Sequence, residues 1–205
     1  MGAAAYSWLG VLTLVFVGTM ASDRRSANQE DAVPLTAEQA GLDTSVLELY
    51  LNDHLAGATG GRDRAHRMAK DHADLPVAGD LTRFARQLDE EWDRVDRLIK
   101  ELGLDTLRYR QLAATVGEKL GRLKLNRRLT QRSPMTPLLE TELMRGAVNA
   151  KRGLWQVMEA LAPRLQMDPA EWQELDAQAV AQSELLDRVH AALRPDAFVP
   201  GSRPS

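Results

Sequence analysis

Residues 81–103 read LTRFARQLDEEWDRVDRLIKELG and carry the clearest fold signal in this 205-residue chain. Apolar side chains recur there every three or four residues, which places them on one face of an α-helix. The inward stripe is Leu81, Phe84, Leu88, Glu91, Val95, Leu98 and Leu102. Gly103 follows as a helix-ending residue. The pattern predicts an amphipathic helix whose inward stripe contains one carboxylate, that of Glu91. The alternative is that Glu91 turns outward beside Glu90 and Trp92 faces the core instead.

Four further helices are predicted from the same periodicity and from capping residues, at about residues 45–72, 105–129, 136–161 and 168–193. Strand signals are nearly absent, because no sustained period-two alternation occurs and Asn-Gly and Asp-Gly turns are missing. The chain is therefore predicted to be all-α. Short loops join the first helix to the second and the fourth to the fifth, which predicts two antiparallel hairpins. The third helix, about 37 Å long at 1.5 Å per residue, would run between them.

Three segments carry a resemblance to a known family: 50–61 (YLNDHLAGATGG), 117–126 (GEKLGRLKLN) and 150–155 (AKRGLW). They resemble a family of uncharacterised bacterial proteins assigned to the ferritin-like class. The resemblance covers residues 44–194 and implies a ferritin-like four-helix bundle with a long helical crossover between the two hairpins. It implies no established activity, so it assigns no functional residues.

Both ends of the chain lie outside the predicted bundle of residues 44–194. Residues 1–22 contain no charged side chain, and residues 3–21 are about long enough to anchor the protein in a membrane, with the body in the cytoplasm. The alternatives are a signal peptide that lacks a basic n-region, or a true start at Met20 instead of Met1, with a cytoplasmic protein. Residues 23–43 are predicted to be a linker with a helical turn at 36–39, and residues 195–205 a flexible tail.

The composition restricts the chemistry of the chain. Without cysteine it has no disulfide, no thiolate nucleophile and no cysteine-ligated metal, so any metal would be held by His, Asp, Glu or backbone oxygens. A formal net charge of -3 argues against a globally basic nucleic-acid binder. Dinucleotide-binding, P-loop and Gly-x-Ser-x-Gly motifs are missing, which disfavours nucleotide-dependent and hydrolytic functions.

The polar residues on inward stripes define the predicted site. A ferritin-type di-iron centre needs paired carboxylates and Glu-x-x-His motifs, and the sequence contains no Glu-x-x-His. The predicted metal-ligating set is instead His54, Glu91 and Glu142, with iron or manganese as the candidate ion. Asn149 and Gln182 are predicted to join a mid-bundle polar layer. Two interpretations stay open: a hydrogen-bonded layer that fixes helix register, or a single divalent ion completed by water.

The inward face of the fourth predicted helix follows from its apolar periodicity. Its predicted stripe is Leu139, Leu143, Gly146, Ala150, Leu154, Val157 and Leu161. On the first predicted helix, His54 is followed by small residues at positions 56–58, 60 and 61, and each glycine costs roughly 1 kcal/mol of helix propensity. Such a cluster indicates close approach of another element or of a ligand. Close helix packing is the favoured interpretation.

The third predicted helix offers a different function. Its basic residues Arg122, Lys124, Arg127 and Arg128 could contact phosphate oxygens of nucleic acid or of anionic lipids. Long basic side chains also cover apolar surface on ordinary solvated helices, and aromatic residues for base stacking are scarce there. A solvated crossover is the favoured interpretation.

The sequence thus favours a binding or structural module over an enzyme, with a metal or small-ligand pocket around His54. The alternatives are a carboxylate-bridged di-metal oxidase and a binder of anionic surfaces through the basic crossover helix. The only candidate cofactor is a divalent metal. The sequence specifies no partner, and a homo-oligomer stays open.

Overall fold

The computed structural model describes residues 33–106, 135–195 and 197–199. These ranges contain four α-helices and no strand, which confirms the all-α prediction for them. The helices are α1 (Thr44–Asp71), α2 (Ala78–Glu101), α3 (Thr136–Leu165) and α4 (Pro169–Leu193). The N-terminal segment of residues 1–22 and the third predicted helix, with Arg122, Lys124, Arg127 and Arg128, lie outside the described residues. Among the helices described, none is long and apolar enough to cross a membrane.

α1, α3 and α4 begin within about one residue of the predicted positions. Asp43 caps α1, since its carboxylate accepts from the backbone N–H groups of Ser45 and Val46, each at 3.1 Å. The hydrogen bond from the Ser45 hydroxyl is the main reason that the pKa of Asp43 is lowered. Asp168 caps α4 by accepting from the Ala170 N–H at 2.9 Å, as the sequence predicts.

All neighbouring helices in the described part are antiparallel. The α1–α2 and α3–α4 hairpins close through residues 72–77 and 166–168, and α1 also packs on α3, while α2 packs on α4. Near the start of α1, the Glu48 carboxylate accepts from the Asp105 N–H just beyond α2. Near its end, Arg64 pairs with Glu140 at the start of α3. The end of α2 and the start of α3 therefore lie at opposite ends of the bundle.

All four helices contribute buried apolar residues to the core, and those of α2 and α4 follow the inward stripes that the sequence predicts. All seven residues of the predicted α2 stripe are buried, Glu91 included. In α4, Trp172, Ala179, Gln182, Leu186, Val189 and Leu193 are buried, and Leu175 is partly buried. The Trp155 and Trp172 rings stack with their centroids 6.1 Å apart. These two tryptophans anchor α3 against α4 through the large apolar area that they bury.

The buried face of α3 differs from the predicted stripe. Gly146 and Ala150 are exposed, whereas Met144, Val148 and Trp155 are buried. The inward face is therefore rotated by about one residue, or roughly 100°, from the predicted one. Both stripes repeat with helical spacing, but methionine and tryptophan remove more apolar surface from water than glycine and alanine do. The prediction of the α3 face was wrong for this reason.

Part of the predicted linker is packed against the helices. The N–H of Leu35 donates to the Leu165 carbonyl at 2.9 Å, and the N–H of Ala37 donates to the Leu102 carbonyl at 3.0 Å. Thr36 and Gln39 form the predicted turn through reciprocal backbone–side-chain hydrogen bonds. Ala37 is fully buried. Residues 34–43 thus differ from a solvated linker, because they cover the ends of α2 and α3.

Candidate functional site

A cavity of about 270 Å³ lies between α1, α2 and α3, beside the glycine-rich segment of α1. Most of its wall is apolar and consists of Gly57, Ala58, Gly61, Leu88, Trp92, Val95, Met144, Ala147, Val148, Ala150 and Trp155. Four polar side chains complete the lining: Asp53, His54, Glu91 and Lys151. The cavity is partly open to solvent, where Gly57, Ala147 and Ala150 are exposed, and it combines mostly apolar walls with a few groups able to form hydrogen bonds.

The small residues of α1 make room for this cavity. Among the described residues, a Cβ atom added to Gly57, Gly60 or Gly61 would meet no atom within 4 Å. Close approach by one of the described helices therefore does not explain these three glycines, and close packing at this segment stays a prediction. The other explanation for such a cluster, space for a ligand, agrees with the cavity.

Glu91 is the centre of a buried polar network at the cavity wall. Its side chain is 4% exposed, and Lys151 Nζ donates to its Oε2 atom at 2.5 Å. Its Oε1 atom accepts from Gln178 Nε2 at 2.8 Å and from Gln182 Nε2 at 3.0 Å. Both carboxylate oxygens are therefore already bonded to the protein. Buried carboxylates are stable in proteins when they are paired in this way.

Lys151 connects this network to the cavity. Besides the bond to Glu91, its Nζ atom donates to Gln182 Oε1 at 2.5 Å, and Gln182 Nε2 donates to Gln87 Oε1 at 3.1 Å. Only 14% of the Lys151 side chain is exposed. Burial lowers the pKa of Lys151, and the attraction of Glu91 only partly opposes this effect. The charged form of this amine is thus less favoured than that of an exposed lysine.

His54 occupies the α1 side of the cavity. Its ring meets the edge of the Tyr50 ring, with the centroids 4.6 Å apart. Burial lowers the pKa of His54, and the neighbouring Asp53 carboxylate opposes the shift. The imidazole is therefore neutral at neutral pH, with one nitrogen able to donate and the other able to accept a hydrogen bond.

The structure brings together only part of the predicted site. Glu91 and Gln182 are hydrogen-bonded, and His54 lines the same cavity as Glu91. Glu142 instead lies on the exposed surface, 3.1 Å from the His190 Nε2 atom. Asn149 is also exposed. The rotation of α3 is the reason that neither residue reaches the cavity.

The predicted metal-ligating set is therefore not assembled. Glu142 lies away from His54 and Glu91, and the Glu91 oxygens are bonded to Lys151 and to two glutamine amides. Across residues 33–106 and 135–195, no three histidine or carboxylate side chains are grouped so that they could hold a metal ion.

The most important site residue that the sequence prediction missed is Lys151. It lies at helical spacing among Met144, Val148, Trp155 and Met158, all of which are buried. A lysine at helical spacing among apolar residues could have indicated a buried amine. It was missed because the neighbouring face of α3 was predicted to be buried. Gln87 and Gln178 were missed because each becomes part of the network only through a contact with another helix.

Comparisons of the chain with protein-family models, with curated proteins and with solved structures gave no match. The functional information for this chain is therefore the geometry of the cavity and of its polar wall.

Proposed function

We propose that this protein is a ferritin-like helical bundle that binds a small, mostly apolar molecule in the cavity beside His54, Glu91 and Lys151. The observation that carries the proposal is a cavity of about 270 Å³ with apolar walls and a few convergent polar groups. Ligand sites in proteins commonly have this composition. An apolar cavity of about 150 Å³ holds benzene. The volume here suits a ligand with on the order of ten non-hydrogen atoms.

The ferritin-like part of the proposal is supported by helix direction. Neighbouring helices are antiparallel, and the end of α2 lies at the opposite end of the bundle from the start of α3. A long crossover between two hairpins satisfies this requirement. The resemblance of residues 44–194 to a ferritin-like family agrees with it.

The polar wall indicates what the ligand carries. Lys151 supplies N–H donors, and neutral His54 supplies one donor and one acceptor. A molecule with an aromatic or branched apolar body and one oxygen-containing group would satisfy both parts of the cavity. Binding would bury the apolar body, at roughly 25 cal/mol per Å² removed from water.

A carboxylate-bridged di-metal oxidase fits this cavity less well. A metal ion would have to displace the Lys151 ammonium from Glu91 and leave a buried positive charge without its partner. Metal analysis of protein purified without chelator tests this alternative. Two equivalents of iron or manganese per chain would contradict the small-ligand proposal.

Benzyl alcohol is a suitable probe of the cavity, because it joins an aromatic ring to one hydroxyl group. We expect saturable binding, seen as a rise in the midpoint of thermal unfolding with ligand concentration. At a hundredfold excess over Kd the stabilisation would reach about 2.7 kcal/mol. No saturable effect of the probe would reject the proposed function.

Two neighbouring glycines provide a matched pair of variants. Gly61 lines the cavity and Gly60 does not, while at both positions an added Cβ meets no atom of the described residues within 4 Å. Gly61→Leu should fill part of the cavity and weaken binding, whereas Gly60→Leu should leave binding unchanged. Both substitutions remove a helical glycine, so their effects on helix propensity are similar. Equal binding by the two variants would show that the probe binds elsewhere.

A further inference from the structure

We infer that Lys151 is a reactive amine that forms an imine with the aldehyde or ketone group of a small apolar molecule held in the cavity. The inference rests on the proposed function, because the cavity must first admit the molecule. It adds the chemical class of the ligand and a covalent step to that function.

The amine of Lys151 lies at the wall of the cavity. Lys151 lines the cavity together with Trp155 and Val148, and its side chain is 14% exposed. The contacts of the described residues occupy two of its three donor positions, at Glu91 Oε2 and Gln182 Oε1. An amine held in an apolar pocket is the usual arrangement of lysines that form Schiff bases.

A proton acceptor lies directly beside this amine. A lysine attacks a carbonyl carbon only as the neutral amine, so its ammonium must first lose a proton. Glu91 Oε2 lies 2.5 Å from Nζ and can take that proton directly. Desolvation favours this transfer because it lowers the pKa of Lys151. The result is a neutral amine beside a neutral carboxylic acid, with no charge gained or lost by the site.

The reaction can then proceed with every atom and proton accounted for. The nitrogen lone pair attacks the carbonyl carbon, the C–O double bond opens, and one N–H proton passes to the oxygen by way of Glu91. The carbinolamine nitrogen next expels the hydroxyl group, which takes the proton of Glu91 and leaves as water. The products are a protonated imine on Lys151, a Glu91 carboxylate and one water molecule.

Charge conservation favours this product. The site starts as an ammonium paired with a carboxylate and ends as an iminium paired with the same carboxylate. Whenever Glu91 is a carboxylate it has a positive partner, and while it is protonated the amine is neutral, so the large cost of an isolated buried charge is avoided. The amides of Gln178 and Gln182 continue to hold its other oxygen.

The remaining lysines of the described part differ in their surroundings. Lys70 and Lys100 are exposed, and Lys100 pairs with Asp96 on the surface of α2. Neither residue lines the cavity. The two side chains serve as internal controls for reaction at a solvated amine.

Benzaldehyde with cyanoborohydride tests the inference, since the reductant converts an imine into a stable benzylamine. We expect the full-length protein to gain one benzyl group, located by peptide mass mapping mainly at Lys151. Benzyl alcohol should slow the labelling by competition. Gly61→Leu should reduce labelling at Lys151, and Gly60→Leu should not.

Lys151→Arg keeps the positive charge but removes the nucleophilic amine, and it should lose the adduct. If this variant fails to fold, the double variant Lys151→Met/Glu91→Gln removes both charges of the pair and serves instead. The inference is overturned if labelling follows exposure across Lys70, Lys100 and the other lysines, or if it persists unchanged without Lys151.

Failure of the inference and failure of the proposed function give different results. Benzyl alcohol binding without an adduct at Lys151 would reject the imine and retain the ligand cavity. No binding of benzyl alcohol, together with no protection of Lys151, would reject both.

Discussion

Lys151 Nζ donates to Glu91 Oε2 at 2.5 Å and thereby joins α3 to α2 across the bundle. These helices are diagonally opposite, since the described packing pairs each of them with α1 and α4 and not with the other. Both side chains are largely buried. The ion pair therefore fixes the relative register of two helices that do not otherwise pack together.

Removing Lys151 alone should lower the free energy of unfolding much more than removing both Lys151 and the charge of Glu91. We predict that Lys151→Met destabilises the protein by about 3–5 kcal/mol, because Glu91 is left as an uncompensated buried charge. Adding Glu91→Gln should recover most of that loss. Urea unfolding of the wild type, both single variants and the double variant measures the coupling. A Lys151→Met protein as stable as the wild type would show that Glu91 does not depend on this ammonium.

His54 should make folding stability depend on pH. Burial lowers its pKa from the ordinary value of 6.5, so below that pH the unfolded chain binds a proton at His54 more readily than the folded chain does. The contribution of His54 to the free energy of unfolding is fully present above pH 6.5 and decreases as the pH falls. The slope is at most about 1.4 kcal/mol per pH unit for one proton.

Substitution of His54 isolates this contribution. His54→Gln should flatten the fall in unfolding free energy between about pH 7 and 5, where the histidine takes up its proton. His66→Gln is the control, because His66 is exposed and pairs with Asp89 on the surface. If the unfolding free energy of the wild type and of His54→Gln fell with pH at equal slopes, His54 would not be the source of this pH dependence. The other ionisable residues at the cavity wall, Asp53, Glu91 and Lys151, are unchanged in this comparison.

Arg94 should contribute to the packing of α2 against α4. Its guanidinium lies 4.6 Å from the centroid of the Trp172 ring and donates twice to the Glu171 carboxylate. Arg94→Lys keeps the charge but loses the planar donor arrangement, so we predict a loss of about 1–2 kcal/mol. Arg86→Lys on the same helix should change stability by less than about 0.5 kcal/mol, because Arg86 is exposed. Similar effects of the two substitutions in thermal unfolding would refute the prediction.

Gly103 should be required for the turn that follows α2. Its φ angle is +69°, and an added Cβ would lie 3.4 Å from Thr36 Cγ2. Gly103→Ala should cost about 1–2 kcal/mol, because L-residues other than glycine are strained in the left-handed region. Gly79→Ala provides the opposite case, since Gly79 lies within α2 beside open space. That substitution should stabilise the protein by up to about 1 kcal/mol in urea unfolding.

α2 and α3, which both line the site, differ in how well the sequence predicts their buried faces. In α2 the apolar residues form one stripe, so the sequence predicts that Glu91 is buried, as observed. In α3 two adjacent faces carry apolar residues, and helical periodicity alone does not choose between them. The face with Met144, Trp155 and Met158 is buried, because these side chains fill the space opposite α1 and α4. Because this face is buried, Lys151 lies inside the bundle, whereas Glu142 and Asn149 lie on the surface.

The sequence by itself determined the four described helices, most of the positions where they begin and the buried faces of α2 and α4, because periodicity and capping act over a few neighbouring residues. It also indicated that another element or a ligand approaches the glycine-rich segment after His54. Only the tertiary structure decided that those glycines border a cavity and that Lys151 is the partner of Glu91. Empty space and buried ion pairs arise between helices that are distant in the chain. Their formation depends on how several side chains fill a shared volume.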